Sequence, residues 1–251
     1  MIKKIFNYIF EPVYKSIVKE LTVNYFTDDL IRIGKANDGG YVVIKSSLNT
    51  YKQLISFGIA GDISFEKQFQ TYNQCMISCF DPSVQGLPEP MENTKFHKLG
   101  IDSKNYGSYV DLDTTVTLSD FQFDSKIFMK MDIEGYEWNV LNDSKSFDIL
   151  KNFDQIVIEL HMKYLLGKSK YWMPLELINR LFILKKLKKN FHFFNINANN
   201  VCGYIQFSDF IFPEVIEISM INKNNIKNNL LNINQPSDPS LPNIQEFLLL
   251  K

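Results

Sequence analysis

The sequence predicts a single α/β domain with a mostly parallel sheet of seven strands, an antiparallel closing strand and a helix before it. Three observations predict this fold. The chain of 251 residues is 45% hydrophobic, which is enough for one large core. Strand-like apolar runs alternate with helical segments over residues 52–161, as in βαβ units. After residue 174 the pattern changes to one helix followed by two strand-like runs.

The first segment predicts an amphipathic helix. Five apolar residues recur at fourfold spacing and form one stripe: Ile5, Ile9, Val13, Ile17 and Leu21. Such a stripe packs on a domain or lies on a membrane surface, and we expect packing. We interpret residues 1–30 as a helical extension of the domain. No run in the sequence has the length needed to span a bilayer.

The elements that follow alternate in type. Residues 31–44 predict a β-hairpin whose turn contains Gly39 and Gly40. Helices are predicted over residues 62–73 and 134–143. Five apolar runs predict the strands of a parallel sheet: 52–58, 75–81, 95–101, 126–132 and 153–161.

The last third predicts one helix and an antiparallel pair of strands. The helix over residues 174–190 starts at a proline and ends in a basic turn, which suits the helix dipole. Residues 191–197 and 214–222 are expected to pair across a loop. The tail at 223–251 is rich in Asn, Lys and Pro, so irregular structure is expected there. The main domain is therefore predicted to span residues 31–222.

Charge and cysteine usage exclude some classes of partner. The formal net charge of -1 provides no global basic field for holding nucleic acid, so a nucleic-acid substrate is not expected. Cys75, Cys79 and Cys202 are too few for a disulfide framework, which favours free thiols in a reducing cytoplasm. The sequence makes no prediction about oligomeric state.

Glycines and polar residues gather where the predicted parallel strands end. These carboxyl ends form the ligand-binding edge of an open sheet. A glycine turn after the first strand and an acid after the second describe an adenosine site, which nicotinamide dehydrogenases and methyltransferases share. The residues at the five strand ends are Gly58, Ile59, Ala60, Gly61 and Asp62; Asp81 and Pro82; Gly100 and Ile101; Asp132 and Glu134; and Glu159 and His161.

Several of these residues also have a purely structural interpretation. Asp81 either accepts hydrogen bonds from a ribose diol or stabilises a turn, and Asp62 is expected to cap the following helix. Glu134 is either a ligand for a substrate or a first-turn carboxylate favoured by the helix dipole. Lys130 either neutralises carboxylates near Asp132 or lies on the surface.

Five motifs carry a family resemblance by their order and spacing: DGGYVV, SFGIAGDISFE, CFDPS, KMDIEGYEW and IVIELH. Over about residues 30–222 the chain resembles the FkbM-type and methyltransferase-like-24-type S-adenosylmethionine-dependent methyltransferases. The resemblance implies a Rossmann-like class I methyltransferase domain. It also implies methyl transfer to a hydroxyl of a sugar or sugar nucleotide, for a surface polysaccharide such as a capsule. Two positions depart from the pattern: Ser56 stands where many methyltransferases have an acid, and Asn197 where relatives often have histidine.

The resemblance assigns roles to the strand-end residues. Asn199, Asn200 and Glu134 are expected to bind the acceptor, because amide and carboxylate groups suit sugar hydroxyls. The asparagines are equally compatible with a simple turn. The S-adenosylmethionine site is expected to comprise Gly39, Gly40, Gly58, Ile59, Ala60, Gly61, Asp62, Asp81, Pro82, Gly100, Ile101 and Asp132.

Methyl transfer to an alcohol needs a base or a metal near the methyl group. His161 is the first candidate for the base, because unperturbed histidine titrates near pH ~6.5. A structural histidine is the alternative interpretation. Asp132 and Glu159 are expected to orient His161 or to join it in holding a divalent cation, since hard cations prefer oxygen ligands. The sequence does not decide between a base and a metal.

Two other functions fit part of the pattern. A nicotinamide-dependent oxidoreductase would use the same first strand and Asp81. However, residues 58–63 lack the third glycine of a Gly-x-Gly-x-x-Gly turn. A non-catalytic adenosine-binding interaction protein would keep the pocket without the chemistry. The presence of Asp132, Glu159 and His161 together argues against that interpretation.

Overall fold

The computed structural model describes residues 2–25, 27–36, 39–121, 125–162, 173–199, 201–206 and 211–225. The helices and strands of this part are, in chain order, α1 (Ile2–Glu20), β1 (Leu30–Gly34), β2 (Gly40–Ile44), β3 (Gln53–Phe57), α2 (Ser64–Tyr72), β4 (Met76–Phe80), β5 (Thr94–His97), β6 (Gly100–Ile101), β7 (Tyr109–Val110), α3 (Leu112–Leu118), β8 (Ile127–Met131), α4 (Glu137–Asn142), α5 (Ser144–Leu150), β9 (Gln155–His161), α6 (Met173–Asn190), β10 (Phe191–Ala198), β11 (Tyr204–Gln206), β12 (Ile211–Pro213) and β13 (Val215–Asn222).

A seven-stranded sheet forms the centre of the protein, in the order β10-β13-β9-β8-β3-β4-β5. The strands β3, β4, β5, β8 and β9 are parallel, and β13 runs antiparallel to both β9 and β10. Every residue of β3, β8 and β9 is buried, as expected for parallel strands covered on both faces. The predicted fold class and the antiparallel closing strand are confirmed.

The strand order positions a crevice at the carboxyl edge of the sheet. From β3 the chain adds β4 and β5 on one side, and then β8 and β9 on the other. The neighbours β3 and β8 are therefore the topological switch point, beside which ligands bind in open α/β sheets. The residues that follow these strands face this crevice.

The buried face of the first helix differs from the fourfold stripe that the sequence predicts. The helix contacts α6. A strict fourfold pattern was the sequence prediction, but Val13 is only partly buried. An α-helix has 3.6 residues per turn, so the buried face follows spacings of four and three. Its members in the described part are Phe10, Tyr14, Ile17 and Leu21.

Several short elements escape sequence prediction because each has too few residues to show a period. They are α3, α5, β7 and the strand pair β11 with β12. The run 95–101, predicted as one strand of the central sheet, forms two strands: β5 belongs to that sheet, and β6 pairs with β7 outside it. The domain boundaries at residues 30 and 222 stay predictions, and residues 226–251 of the predicted tail lie outside the described residues. In the part of the chain that the structure describes, no helix has the length and apolar character needed to cross a bilayer.

Candidate active site

A cavity of about 1050 Å³ lies at the carboxyl ends of the parallel strands. Small-molecule sites usually occupy about 300–1,000 Å³, so this one has room for a cofactor and an acceptor. Gly40 and Gly61 are not part of its lining, and Asn200 lies outside the described residues. The structure brings the other predicted site residues together: Gly39, Gly58, Ile59, Ala60, Asp62, Asp81, Pro82, Gly100, Ile101, Asp132, Glu134, Glu159, His161 and Asn199.

The turn after β3 depends on the left-handed backbone of Gly58, whose φ is +74°. A Cβ at this position would lie 1.6 Å from the carbonyl oxygen of Asp132. The Asp132 N–H in turn donates to the carbonyl of Phe57 at 3.0 Å. The close neighbour of Gly58 is thus the backbone that follows β8. Gly61 is different, because a Cβ there meets nothing within 4 Å.

Asp62 stabilises the start of α2. Its Oδ1 accepts a hydrogen bond from the Ser64 N–H at 2.9 Å, and its Oδ2 lies 3.1 Å from Lys35 Nζ. A Cβ on Gly39 would come within 2.6 Å of Oδ2, so the hairpin turn also packs against this carboxylate. Burial opposes the shift, but the hydrogen bonds from Ser64 and Lys35 lower the pKa of Asp62. Asp62 lies one residue before the N-cap Ile63, so it stabilises the turn that leads into α2 and is not the helix cap that the sequence predicts.

Asp81, which follows β4, accepts hydrogen bonds from the glycine turn after β3. Its Oδ2 accepts from the N–H groups of Ile59 and Ala60 at 3.0 and 2.8 Å. Its Oδ1 accepts from the N–H and the hydroxyl of Ser83 at 2.7 and 2.6 Å. Burial opposes the shift, but these donors lower the pKa of Asp81. The carboxylate therefore stabilises two turns, and ribose binding by Asp81 stays a prediction.

His161 ends β9 with its side chain buried against Glu137, the first residue of α4. Glu137 Oε1 accepts from the His161 backbone N–H at 2.6 Å and lies 3.3 Å from Nδ1. The Gly135 N–H donates to Glu137 Oε2 at 2.8 Å. A carboxylate only accepts hydrogen bonds, so this contact assigns the Nδ1 proton and directs Nε2 away from α4. The Trp138 indole N–H also donates to the His161 carbonyl at 2.9 Å.

The Nε2 atom of His161 faces two carboxylates that line the cavity. It lies 4.0 Å from Asp132 Oδ1 and 3.5 Å from Glu134 Oε2. Glu134 has a left-handed backbone with φ of +55°, which is uncommon for a residue other than glycine. One ligand atom from each of the three residues lies within 4.8 Å of the others, a spacing that a metal ion could bridge.

The acidic surroundings control the charge of His161. Burial alone would lower its pKa, but the hydrogen bond and charge of Glu137, with the charges of Asp132 and Glu159, raise the pKa of His161 to about 9. Burial raises the pKa of Asp132, while Lys130 and His161 oppose that shift. These carboxylates therefore favour the protonated form of His161.

Glu159 lines the cavity and contacts side chains from β2 and from the loop after β10, and its predicted role in orienting His161 stays a prediction. Its Oε2 accepts from the Tyr41 hydroxyl at 3.3 Å, and its Oε1 accepts from Asn199 Nδ2 at 2.9 Å. Asn199 also accepts from the Val201 N–H at 3.0 Å, so it fixes the loop after β10. Asn199 shapes the cavity wall, and acceptor binding by Asn199 stays a prediction.

Lys130 points from β8 into the layer beneath the glycine turn and is only 4% exposed. Its Nζ donates to the Gly58 carbonyl at 2.7 Å and lies 3.3 Å from Oε1 of the fully buried Glu66. The Ser56 hydroxyl donates to the same oxygen of Glu66. Of the two interpretations from sequence, neutralisation of a carboxylate is confirmed and a surface position is wrong.

Sequence reasoning missed Glu137 and Glu66 as parts of the site. Both are glutamates with no side-chain exposure. Glu137 lies inside the KMDIEGYEW motif and Glu66 inside SFGIAGDISFE, which was the available signal. The cavity wall also contains Tyr109 and Tyr136, which stack with ring centroids 4.9 Å apart.

Among the comparisons with known proteins, a family model identifies the family of this chain. The model of the methyltransferase FkbM domain matches residues 3–193, which include α1 and the strands up to β10. A comparison with curated proteins finds no match. A solved structure of a fibrillarin/Nop5p complex is 10% identical, with a TM-score of 0.39, and the alignment covers 69% of this chain and 73% of that chain. On the family match, which spans most of its length, the chain belongs to the FkbM methyltransferase family, whose enzymes use S-adenosylmethionine.

Proposed function

We propose that this methyltransferase methylates a hydroxyl of a sugar or sugar nucleotide, and that His161 accepts the hydroxyl proton. The observation that supports this proposal is the orientation of His161. Its Nδ1 contacts a buried carboxylate, and its Nε2 faces a cavity large enough for two ligands. A nucleophile-activating base needs such a fixed tautomer and a free path to the substrate.

The lining of the cavity fits the cofactor. Six carboxylates and two lysines line it, so the site favours a ligand with positive groups. When bound, S-adenosylmethionine carries a sulfonium and an ammonium, and the sulfonium makes its methyl group electrophilic. The six acidic residues are Asp62, Asp81, Asp132, Glu134, Glu159 and Glu214.

The raised pKa of His161 fits a base that becomes active in the occupied site. A positive charge bound beside Asp132 and Glu134 offsets the carboxylates that stabilise the imidazolium. The pKa of His161 then falls toward neutral pH, and Nε2 becomes able to accept a proton. Glu137 keeps Nδ1 protonated and stabilises the imidazolium that forms during transfer.

A divalent cation is the alternative way to activate the hydroxyl. The sequence pointed to Asp132, Glu159 and His161 as its ligands, whereas the structure groups Asp132 and His161 with Glu134. A cation on this group would occupy Nε2 and would exclude His161 from acting as the base. Activity that survives a strong chelator supports the base, and activity that is lost and restored by Mg²⁺ or Mn²⁺ contradicts it.

The class of acceptor and the cellular compartment are proposed from the family resemblance. Sugar hydroxyls suit the polar side chains of Glu134 and Asn199, which line the cavity. We propose a sugar nucleotide for a surface polysaccharide, such as a capsule, as the acceptor. The free thiols of Cys75, Cys79 and Cys202 favour the cytoplasm as the compartment.

One set of measurements tests the proposal. Methyl transfer is measured against a panel of nucleotide sugars with wild type and His161→Gln, and binding of S-adenosylmethionine and NAD is measured by calorimetry. We expect binding of S-adenosylmethionine alone, and turnover that falls by about 10²–10⁴-fold in His161→Gln with cofactor affinity retained. Unchanged turnover in the variant would remove the base role. Cofactor binding without transfer to any sugar would leave a non-catalytic binding protein.

A further inference from the structure

We infer that Lys130 binds the carboxylate at the amino-acid end of the cofactor. The inference rests on the proposed function, because it assigns one contact to the same ligand. It concerns a residue that sequence reasoning left between two structural roles. Three observations carry it: the donors of the ammonium group, the charge of the cavity, and the buried pair beneath the glycine turn.

Two contacts within the described part of the protein use two of the three N–H donors of the Lys130 ammonium group. A lysine carries three N–H donors. Its Nζ donates to the Gly58 carbonyl and contacts Glu66 Oε1, and its side chain lines the cavity. Among the described residues no third hydrogen-bond acceptor is recorded for this Nζ; the Tyr41 ring centroid lies 6.0 Å away. A ligand oxygen in the cavity can accept the remaining donor.

The charge of the cavity restricts where an acidic group can bind. Six carboxylates of the lining repel a carboxylate unless a cation lies beside it. Lys35 is 61% exposed and already paired with Asp62. His161 faces Asp132 and Glu134, together with Glu137 from α4. Lys130 is also paired, with Glu66, but it is the buried lysine of the lining, so solvent screens its charge less than that of Lys35.

The pair with Glu66 keeps Lys130 charged at this buried position. Burial opposes the charge, but Glu66 and Asp132 raise the pKa of Lys130 above its ordinary value. The Ser56 hydroxyl on β3 donates to the same oxygen of Glu66 that contacts Lys130. Glu66 belongs to α2 and is not a lining residue of the cavity.

A ligand pair with and without the carboxylate tests the inference by calorimetry. Wild type and Lys130→Met are titrated with S-adenosylmethionine and with its decarboxylated form, which lacks only that group. Because hydrogen bonds to charged groups contribute roughly 1.5–3 kcal/mol, we expect wild type to bind the decarboxylated form about 10–100-fold more weakly. Lys130→Met is expected to bind both forms with similar affinity. A variant that keeps the wild-type ratio would overturn the inference.

Two further variants control for charge and folding. Lys35→Met removes a lysine from the same cavity lining and is expected to keep the wild-type ratio. Lys130→Met combined with Glu66→Gln removes the buried pair together, so it avoids an unpaired carboxylate if the single variant fails to fold. The double variant is also expected to lose the discrimination. Failure of wild type to bind S-adenosylmethionine would reject the proposed function as well, whereas binding with unchanged discrimination in the variants rejects only the role of Lys130.

Discussion

Glu137 holds His161 at two points, with one carboxylate oxygen 2.6 Å from the backbone nitrogen and 3.3 Å from Nδ1. The carboxylate is fully buried and its other oxygen accepts from the Gly135 N–H. This side chain and the Trp138 indole, which donates to the His161 carbonyl, join the start of α4 to the end of β9. The orientation of the proposed base is a property of this contact, since the ring cannot rotate without breaking it.

Glu137→Gln is expected to change the pH dependence of the reaction. Loss of the charge lowers the pKa of His161 from about 9, because Glu137 is the main group that raises it against burial. A base acts in its unprotonated form, and kcat/KM for S-adenosylmethionine reports the pKa of the enzyme before the cofactor binds. We therefore expect this kcat/KM to rise with pH through about 9 in wild type and to level off at lower pH in the variant. The measurement is the pH profile of kcat/KM for both proteins.

The size of the loss in kcat, together with the pH profile, distinguishes a role of Glu137 in positioning His161 from a role in the fold alone. We expect kcat to fall by about 10–100-fold in Glu137→Gln, because the amide can also present its N–H to Nδ1 and disturb the tautomer. Glu89→Gln is the matched control, since Glu89 is exposed and pairs only with Lys67 in the described part. A lower kcat with an unshifted profile would mean that Glu137 supports the fold alone.

The charge of His161 also makes the stability of the fold depend on pH. The pKa is raised from 6.5 to about 9, so the protonated ring stabilises the folded state fully below pH 6.5. This contribution is lost as the pH rises through about 9. We expect the free energy of unfolding in urea to decrease over that window in wild type and to decrease less in Glu137→Gln. Equal slopes for the two proteins would contradict the assigned pKa.

The sequence was sufficient for the sheet and for the position of the site. Parallel strands buried on both faces are continuous apolar runs, and their carboxyl ends meet at one edge, so Asp81, Asp132 and His161 could be placed together. The partners of buried charges were not predictable in the same way. Glu137 reaches His161 across 24 residues through the packing of α4 on β9, and no local spacing encodes that contact.

Asp81→Asn is expected to loosen the turn that borders the cofactor site. All four hydrogen bonds of the carboxylate go to N–H or O–H donors, and an amide replaces one acceptor with a donor that faces them. Leaving such donors unpaired costs roughly 1–3 kcal/mol each, so we expect lower stability and weaker cofactor binding. Urea unfolding and calorimetry measure the two effects.

The stability of wild type at acidic pH tests the same hydrogen bonds of Asp81. The folded-state pKa of Asp81 is lowered, so its ionised form stabilises the fold above its ordinary pKa, and this contribution is lost as the pH falls through the folded value. Asp81→Asn is expected to lose less stability than wild type on acidification. An identical acid transition in both proteins would show that these hydrogen bonds contribute nothing to folding.

Gly58→Ala and Gly61→Ala compare two glycines of the same turn that meet different surroundings. A Cβ at residue 58 would lie 1.6 Å from the Asp132 carbonyl oxygen, on a backbone with φ of +74°. Because backbone cannot yield as a flexible side chain does, we expect Gly58→Ala to reduce the free energy of unfolding by more than about 2 kcal/mol.

At residue 61 a Cβ meets nothing within 4 Å. We expect Gly61→Ala to change stability by less than about 1 kcal/mol, because the alanine side chain needs no rearrangement there. Chemical unfolding of the two variants beside wild type measures this difference. Equal losses would mean that the turn, rather than its contact with the end of β8, limits the fold at this point.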